Sequence, residues 1–123
     1  TEYAPGGHTA YAPWLIQQAT DFLRGDVAVK GGLTACLKTA HLAECFNVPV
    51  CPHFLMELHV ALCAAVPNAR FVEYIPQLEA LTHTGMRIEN GHAVPSAAPG
   101  LGIDWNFEAI EAMAVDGSLF SLI

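Results

Sequence analysis

Three polar residues each close a short apolar run. Asp26 follows Phe22-Leu23-Arg24-Gly25, His53 closes Val48-Pro49-Val50-Cys51-Pro52, and Glu73 closes Arg70-Phe71-Val72. Between the runs lie segments long enough for helices. Parallel strands cannot be joined by a tight turn; they need a crossover of about a dozen residues or more, usually a helix. The order strand, helix, strand, helix, strand therefore predicts an α/β fold, a parallel sheet with helices outside. In such sheets polar residues at the C-terminal strand ends converge on one face, where binding and chemistry take place.

The chain has 123 residues, enough for one domain with a core of its own. An apolar fraction of 53% with 14% charged residues describes a globular chain rather than a disordered one. The net charge of −7 argues against nucleic acid and against an anionic membrane surface as partners. An anionic substrate stays open, because a bound divalent cation reverses the local sign. Cys36, Cys45, Cys51 and Cys63 have neither C-x-x-C spacing nor a zinc pattern with the six histidines. Buried, reduced thiols in a reducing compartment are expected. No charged n-region leads into an apolar h-region at the start, and the longest apolar run, Val60 to Val66, is too short to cross a bilayer. A soluble, cytoplasmic protein is expected.

Residues 11–20 read as a helix that tolerates Pro13 in its first turn, and residues 21–29 as the first strand. Gly31-Gly32 predicts a tight turn, with Thr34 as a helix cap. Leu33, Leu37, Ala40 and Ala43 recur at helical spacing over 33–46, and Asn47 suits the stop. A second helix is predicted over 54–66 with Met56, Val60 and Cys63 on one stripe, then a third strand over 70–74. Asn90-Gly91 between Met86–Glu89 and His92–Val94 is a strong hairpin signal. Asp104 or Asn106 can cap a last helix over 107–113, and 119–123 is an apolar tail that docks on something. Three strands with two crossovers leave both edges open, and the prolines at 49 and 52 are unusual inside an isolated sheet. The chain therefore reads as part of something larger.

Several stretches, in order, carry a resemblance. They are Asp26-x-x-x-x-Gly31-Gly32-Leu33-Thr34, Leu42-Ala43-Glu44, Val48-Pro49-Val50-Cys51-Pro52-His53, Ala64-Ala65-x-Pro67-Asn68 and Phe71-Val72-Glu73. Together they resemble the enolase superfamily, and within it the mandelate racemase subgroup. Gly91-x-x-Val94-Pro95 and Pro99-Gly100-Leu101-Gly102 are similar to its C-terminal signature. The resemblance implies the C-terminal part of a (β/α)₈ barrel, strands six to eight over residues 1–85. Residues 86–123 would return toward a capping domain. The remainder of the barrel is expected from another segment or chain, and a homo-oligomer is expected.

By resemblance the shared step is removal of a proton next to a carboxylate, with Mg²⁺ as cofactor and a small-molecule carboxylate as substrate. His53 is the candidate general acid or base, since imidazole titrates near neutrality. Asp26 is its orienting partner, fixing the tautomer. Glu73 would hydrogen-bond a substrate carboxylate oxygen, a role that needs a raised pKa and a protonated carboxyl. Glu2 matches a metal carboxylate at the end of strand five, although Thr1 stands where the family usually has Gly. The other metal ligands and a Lys-x-Lys motif would lie outside this chain. The bland alternatives are a satisfied core histidine for His53, a surface salt bridge with Arg70 for Glu73, and a mobile terminal residue for Glu2. Glu57 reads as a helix N-terminal charge, and His41 and His59 as packed or outward-facing helix residues.

Dehydration of a sugar acid is the favoured reaction, an argument by analogy with the subgroup. Racemisation or epimerisation of a 2-hydroxy acid with the same dyad is the alternative. A fragment inactive without its other half is a third reading.

Overall fold

The computed structural model describes residues 6–114. A 3₁₀ turn, His8–Tyr11, runs into α1 (Ala12–Ile16) with Pro13 in the first turn. This helix is shorter than the sequence suggests; Gln18 adopts φ 50° and ends it. Gly31 and Gly32 have φ of 88° and 80°, the left-handed region that glycine enters without steric cost. They turn the chain into α2 (Gly32–Glu44). Gly31 occupies the cap position, so Thr34 lies inside the helix and caps nothing. Asn47, at φ 56°, forms the stop expected of it. The helix α3 spans Met56–Ala65.

Where three strands are expected, the structure has three parallel segments joined by isolated bridges; the first ends before 29, because the Asp26 carbonyl accepts from Val29 and Lys30 N–H and residues 27–30 turn. Val50 bridges Leu23 on one side and Ala69 on the other, both parallel. Leu23 N–H donates to the Pro49 carbonyl, Cys51 N–H to Leu23 and His53 N–H to Gly25. On the other side Val50 N–H donates to Asn68 and Arg70 N–H to Val50. The next donor facing the third segment would be residue 52, a proline without an N–H, and the ladder stops there. Among the described residues, the outer edges of the first and third segments have no ladder partner.

Side-chain alternation divides the two faces of this small sheet. Leu23 and Val50 are buried against Tyr11, Leu15, Ala40 and Ala43 on the helix side. Phe22, Arg24, Cys51, Phe71 and Glu73 line a shallow concavity on the other face. Phe71 is 66% exposed there. The buried face of α2 is Cys36, Thr39, Ala40 and Ala43, so Ala40 and Ala43 of the predicted stripe are buried as expected, whereas Leu37 is exposed. The buried set of α3 holds Met56, Val60 and Leu62 but also Glu57 and His59, while Cys63 is half-buried. All four cysteines are unpaired, yet only Cys36 is buried and Cys45 is exposed, so the expectation of buried thiols fails for Cys45.

The C-terminal part follows the sequence closely. Strands β1 (Arg87–Glu89) and β2 (His92–Val94) pair antiparallel in the register Ile88 opposite Ala93. Asn90 and Gly91 have φ of 50° and 79°, as a two-residue primed turn requires. Helix α4 (Phe107–Met113) is capped by Asn106, whose side-chain oxygen accepts from Ala109 N–H at 3.0 Å. Asp104, the other cap candidate, instead lends its carbonyl to His83 N–H. Glu2 and the apolar tail lie outside the described residues.

Candidate active site

The ends of the three parallel segments bring Asp26, His53 and Glu73 together on one side. His53 N–H is bonded to the Gly25 carbonyl, which sets the imidazole beside Asp26 in register. Asp26 is buried. One of its oxygens, Oδ1, accepts from Ala28 N–H at 2.8 Å, a local turn that pins the carboxylate. The other, Oδ2, lies 3.4 Å from His53 Nδ1. That is long for a hydrogen bond. A carboxylate on Nδ1 favours the Nδ1–H tautomer and leaves the Nε2 lone pair as the proton acceptor. Nε2 faces Glu73, with 3.9 Å to Oε2.

Glu73 lies against the Phe54 N–H and the Arg24 guanidinium. Burial pushes its carboxyl pKa up, but the Phe54 N–H and the Arg24 guanidinium outweigh that and hold it below the usual carboxylate range. Oε1 accepts from Arg24 Nη2 at 2.6 Å and Oε2 from Phe54 N–H at 2.8 Å. The pair is with Arg24, not Arg70. Alternation explains the partner: Arg24 and Glu73 both line the sheet's open face, whereas Arg70 is absent from it. The i, i+2 spacing of Arg24 and Asp26, and of Cys51 and His53, is the sequence signal that points to this cluster.

Of the two readings of His59, packed or outward-facing, the structure shows the packed one: the ring is fully buried beneath the site. Its Nδ1–H donates to the Phe54 carbonyl at 2.7 Å, and its Nε2 accepts from Val27 N–H at 3.2 Å. Burial pushes its pKa below the ordinary value, so the ring is neutral, as this donor–acceptor pattern demands. Its place three residues after Met56 on the α3 stripe is the available clue. Lys30, also buried, sits over the Tyr11 ring with Nζ 5.2 Å from the centroid. Glu57 is buried with neither carboxylate oxygen hydrogen-bonded among the described residues, so it is no simple solvent-facing helix charge. It lines a cavity formed with Thr84, Arg87, Ser96 and the 101–103 turn.

Comparison with known proteins agrees with this architecture. The family model described as "Enolase C-terminal domain-like" matches residues 4–110, and the chain belongs to that family. The D-xylonate dehydratase of Haloferax volcanii is 31% identical over 112 residues, covering 84% of this chain and 27% of that protein. An L-talarate dehydratase from Polaromonas sp., solved with Mg and L-glucarate, superposes with a TM-score of 0.81 at 34% identity, covering 89% of this chain and 31% of that one. An enolase from Bradyrhizobium, solved with magnesium and mandelic acid, gives a TM-score of 0.83 at 27% identity, covering 94% and 32%. The chain thus spans about a third or less of the length of these relatives. No helix among the described residues is long and apolar enough to cross a membrane.

Proposed function

We propose that this chain supplies the acid–base side of an enzyme that removes a proton alpha to a carboxylate, and that the reaction is dehydration of a sugar acid. The observation that carries the proposal is the Asp26 carboxylate facing His53 Nδ1, with Nε2 turned toward the open side of the sheet beside Glu73. In this reading the three parallel segments are strands six to eight of a barrel, and residues 86–123 lead back to a capping domain. The sheet edges that have no partner among the described residues, and the exposed Phe71, are the surfaces that the rest of the barrel would cover.

Mg²⁺ is the cofactor in this reading, as two of the solved relatives carry magnesium. The described residues do not fit a metal centre by themselves. They contain no group of three or more His, Cys, Asp or Glu side chains able to hold an ion. Asp26, His53 and Glu73 are engaged with one another, with Arg24 and with backbone N–H groups. Glu2 is proposed as one ligand, the others coming from the rest of the barrel.

Asp26 holds the imidazole as the Nδ1–H tautomer, so that Nε2 can take or return a proton. In a dehydration Nε2 of the neutral His53 takes the α-proton, and the β-carbon loses its hydroxyl. His53 in its protonated form gives that hydroxyl a proton, so it leaves as water. The enol that remains tautomerises to a 2-keto-3-deoxy acid. Glu73 is ionised without substrate. A carboxylate arriving beside it disfavours two adjacent negative charges, so Glu73 takes up a proton on binding and then donates to the substrate oxygen. Arg24 stays as the fixed positive charge of the site.

Racemisation or epimerisation of a 2-hydroxy acid is the second reading, favoured by the relative that holds mandelic acid. The complete barrel, incubated with Mg²⁺ and a panel of sugar acids and 2-hydroxy acids, separates the two. Formation of a 2-keto acid supports dehydration. Inversion without a keto product supports the second reading, and no reaction with any member of the panel defeats both.

A further inference from the structure

Phe54 and Leu55 have φ of 64° and 30°. Two consecutive non-glycine residues in the left-handed region are strained and persist only where the surroundings hold them. This bend takes the chain off the second segment directly after His53 and starts α3, whose Leu58 and His59 N–H groups donate to the Leu55 carbonyl. It is held from two sides. Glu73 Oε2 accepts the Phe54 N–H, and His59 Nδ1–H donates to the Phe54 carbonyl. The same imidazole accepts the N–H of Val27. One fully buried ring therefore bonds the residue after His53 and the residue after Asp26.

We propose that His59 is a positioning residue: it ties the Asp26 turn to the strained Phe54–Leu55 bend and so sets the separation of the Asp26 carboxylate and the His53 imidazole. The proposal rests on the Asp26–His53 reading above. The position needs one N–H and one lone pair about a ring apart, which only a neutral imidazole offers in that space. Phenylalanine fills the volume and supplies neither. Asparagine places a donor near the former Nδ1, and glutamine an acceptor near the former Nε2, so each restores one end of the link.

The test is steady-state kinetics of His59→Phe, His59→Asn, His59→Gln and His53→Ala in the complete, Mg²⁺-loaded enzyme. Rates are normalised to folded protein. A displacement on the order of 1 Å at a reacting pair can cost about 10²-fold in rate. The expected result is a fall in kcat of about 10- to 100-fold for His59→Phe, with KM within about twofold of the wild type. The two amides should fall between Phe and wild type. A role in folding alone would lower the melting temperature without moving kcat per folded molecule. If all folded His59 variants keep kcat within about twofold while His53→Ala is inactive, the positioning role is wrong and the dyad stands. If His59→Phe does not fold, wild-type kcat in the two amides overturns the proposal equally. Should His53→Ala itself retain wild-type kcat, the dyad reading falls and the positioning role falls with it.

Discussion

Replacing Asp26 by Asn changes one charge and no volume, and the structure dictates how the amide must sit. Oδ1 is fixed by Ala28 N–H at 2.8 Å, a bond that only an oxygen can accept. In the Asp26→Asn variant the amide oxygen would therefore stay at Oδ1, and the NH₂ would occupy the Oδ2 position, 3.4 Å from His53 Nδ1. An NH₂ there repels Nδ1–H and selects the tautomer with the proton on Nε2. That nitrogen then has no lone pair for the substrate proton. General acid–base catalysis by a positioned side chain contributes about 10²–10⁴-fold, and a wrong-tautomer substitution in a Ser-His-Asp triad costs about 10⁴. For a pair separated by 3.4 Å rather than a tight contact, the lower half of that range applies, a loss of about 10²–10³ in kcat, or about 2.7–4.1 kcal/mol. The assay is initial-rate formation of 2-keto acid by the complete enzyme at saturating substrate and Mg²⁺. KM and Mg²⁺ affinity should change little. A variant retaining more than about a third of wild-type kcat would refute the tautomer argument.

Other consequences are testable together. Acid should destabilise the fold in two stages. His59 has a depressed pKa in the fold, so below its ordinary 6.5 the unfolded chain binds the proton more readily and stability falls as pH drops. Glu73 is also depressed, so its stabilisation is present above its ordinary 4.5 and is lost as pH falls through the lower folded value. Urea melts across pH 3–8 read both stages, and a stability independent of pH between 7 and 5 would contradict the buried neutral imidazole. Gly31→Ala should cost about 1–2 kcal/mol from its left-handed φ, since the new Cβ meets only Ala35 Cβ at 3.4 Å. Gly102→Ala should cost more, because its Cβ would overlap Ser96 Cβ; equal melting temperatures for the two would refute the clash. Burial pushes the Cys36 and Cys63 thiols up to about 11, whereas Cys45 is exposed, so alkylation followed by mass spectrometry should label Cys45 first. Cys36 reacting as fast as Cys45 would contradict its burial.

Local chemistry is the most legible part of this chain. Asn90-Gly91 determines the hairpin and its register, and Asn106 determines the start of α4, because each signal acts within a few residues. The order of the three parallel segments is legible from the crossover lengths. Their regularity is not, since Pro52 removes the donor that would continue the ladder. The convergence of Asp26, His53 and Glu73 is readable from their positions at run ends. The ionisation of Glu73 is not, because it depends on Arg24, many residues away, and on a backbone N–H exposed by an unusual bend at Phe54. Burial of His59 depends on two loops closing over one helix face, which periodicity alone does not reveal. In α2 the pattern places Ala40 and Ala43 correctly against Leu23 and Val50, but not Leu37, which is left exposed.

The central claim is that the His53 imidazole, aimed by Asp26, exchanges a proton with the substrate α-carbon. The direct measurement is α-proton exchange into D₂O, followed by NMR on the complete Mg²⁺-loaded enzyme and on its His53→Asn variant. Deuterium incorporation by the wild type and none by the variant is the predicted result. Equal incorporation by both would place the proton transfer on another residue and contradict the account.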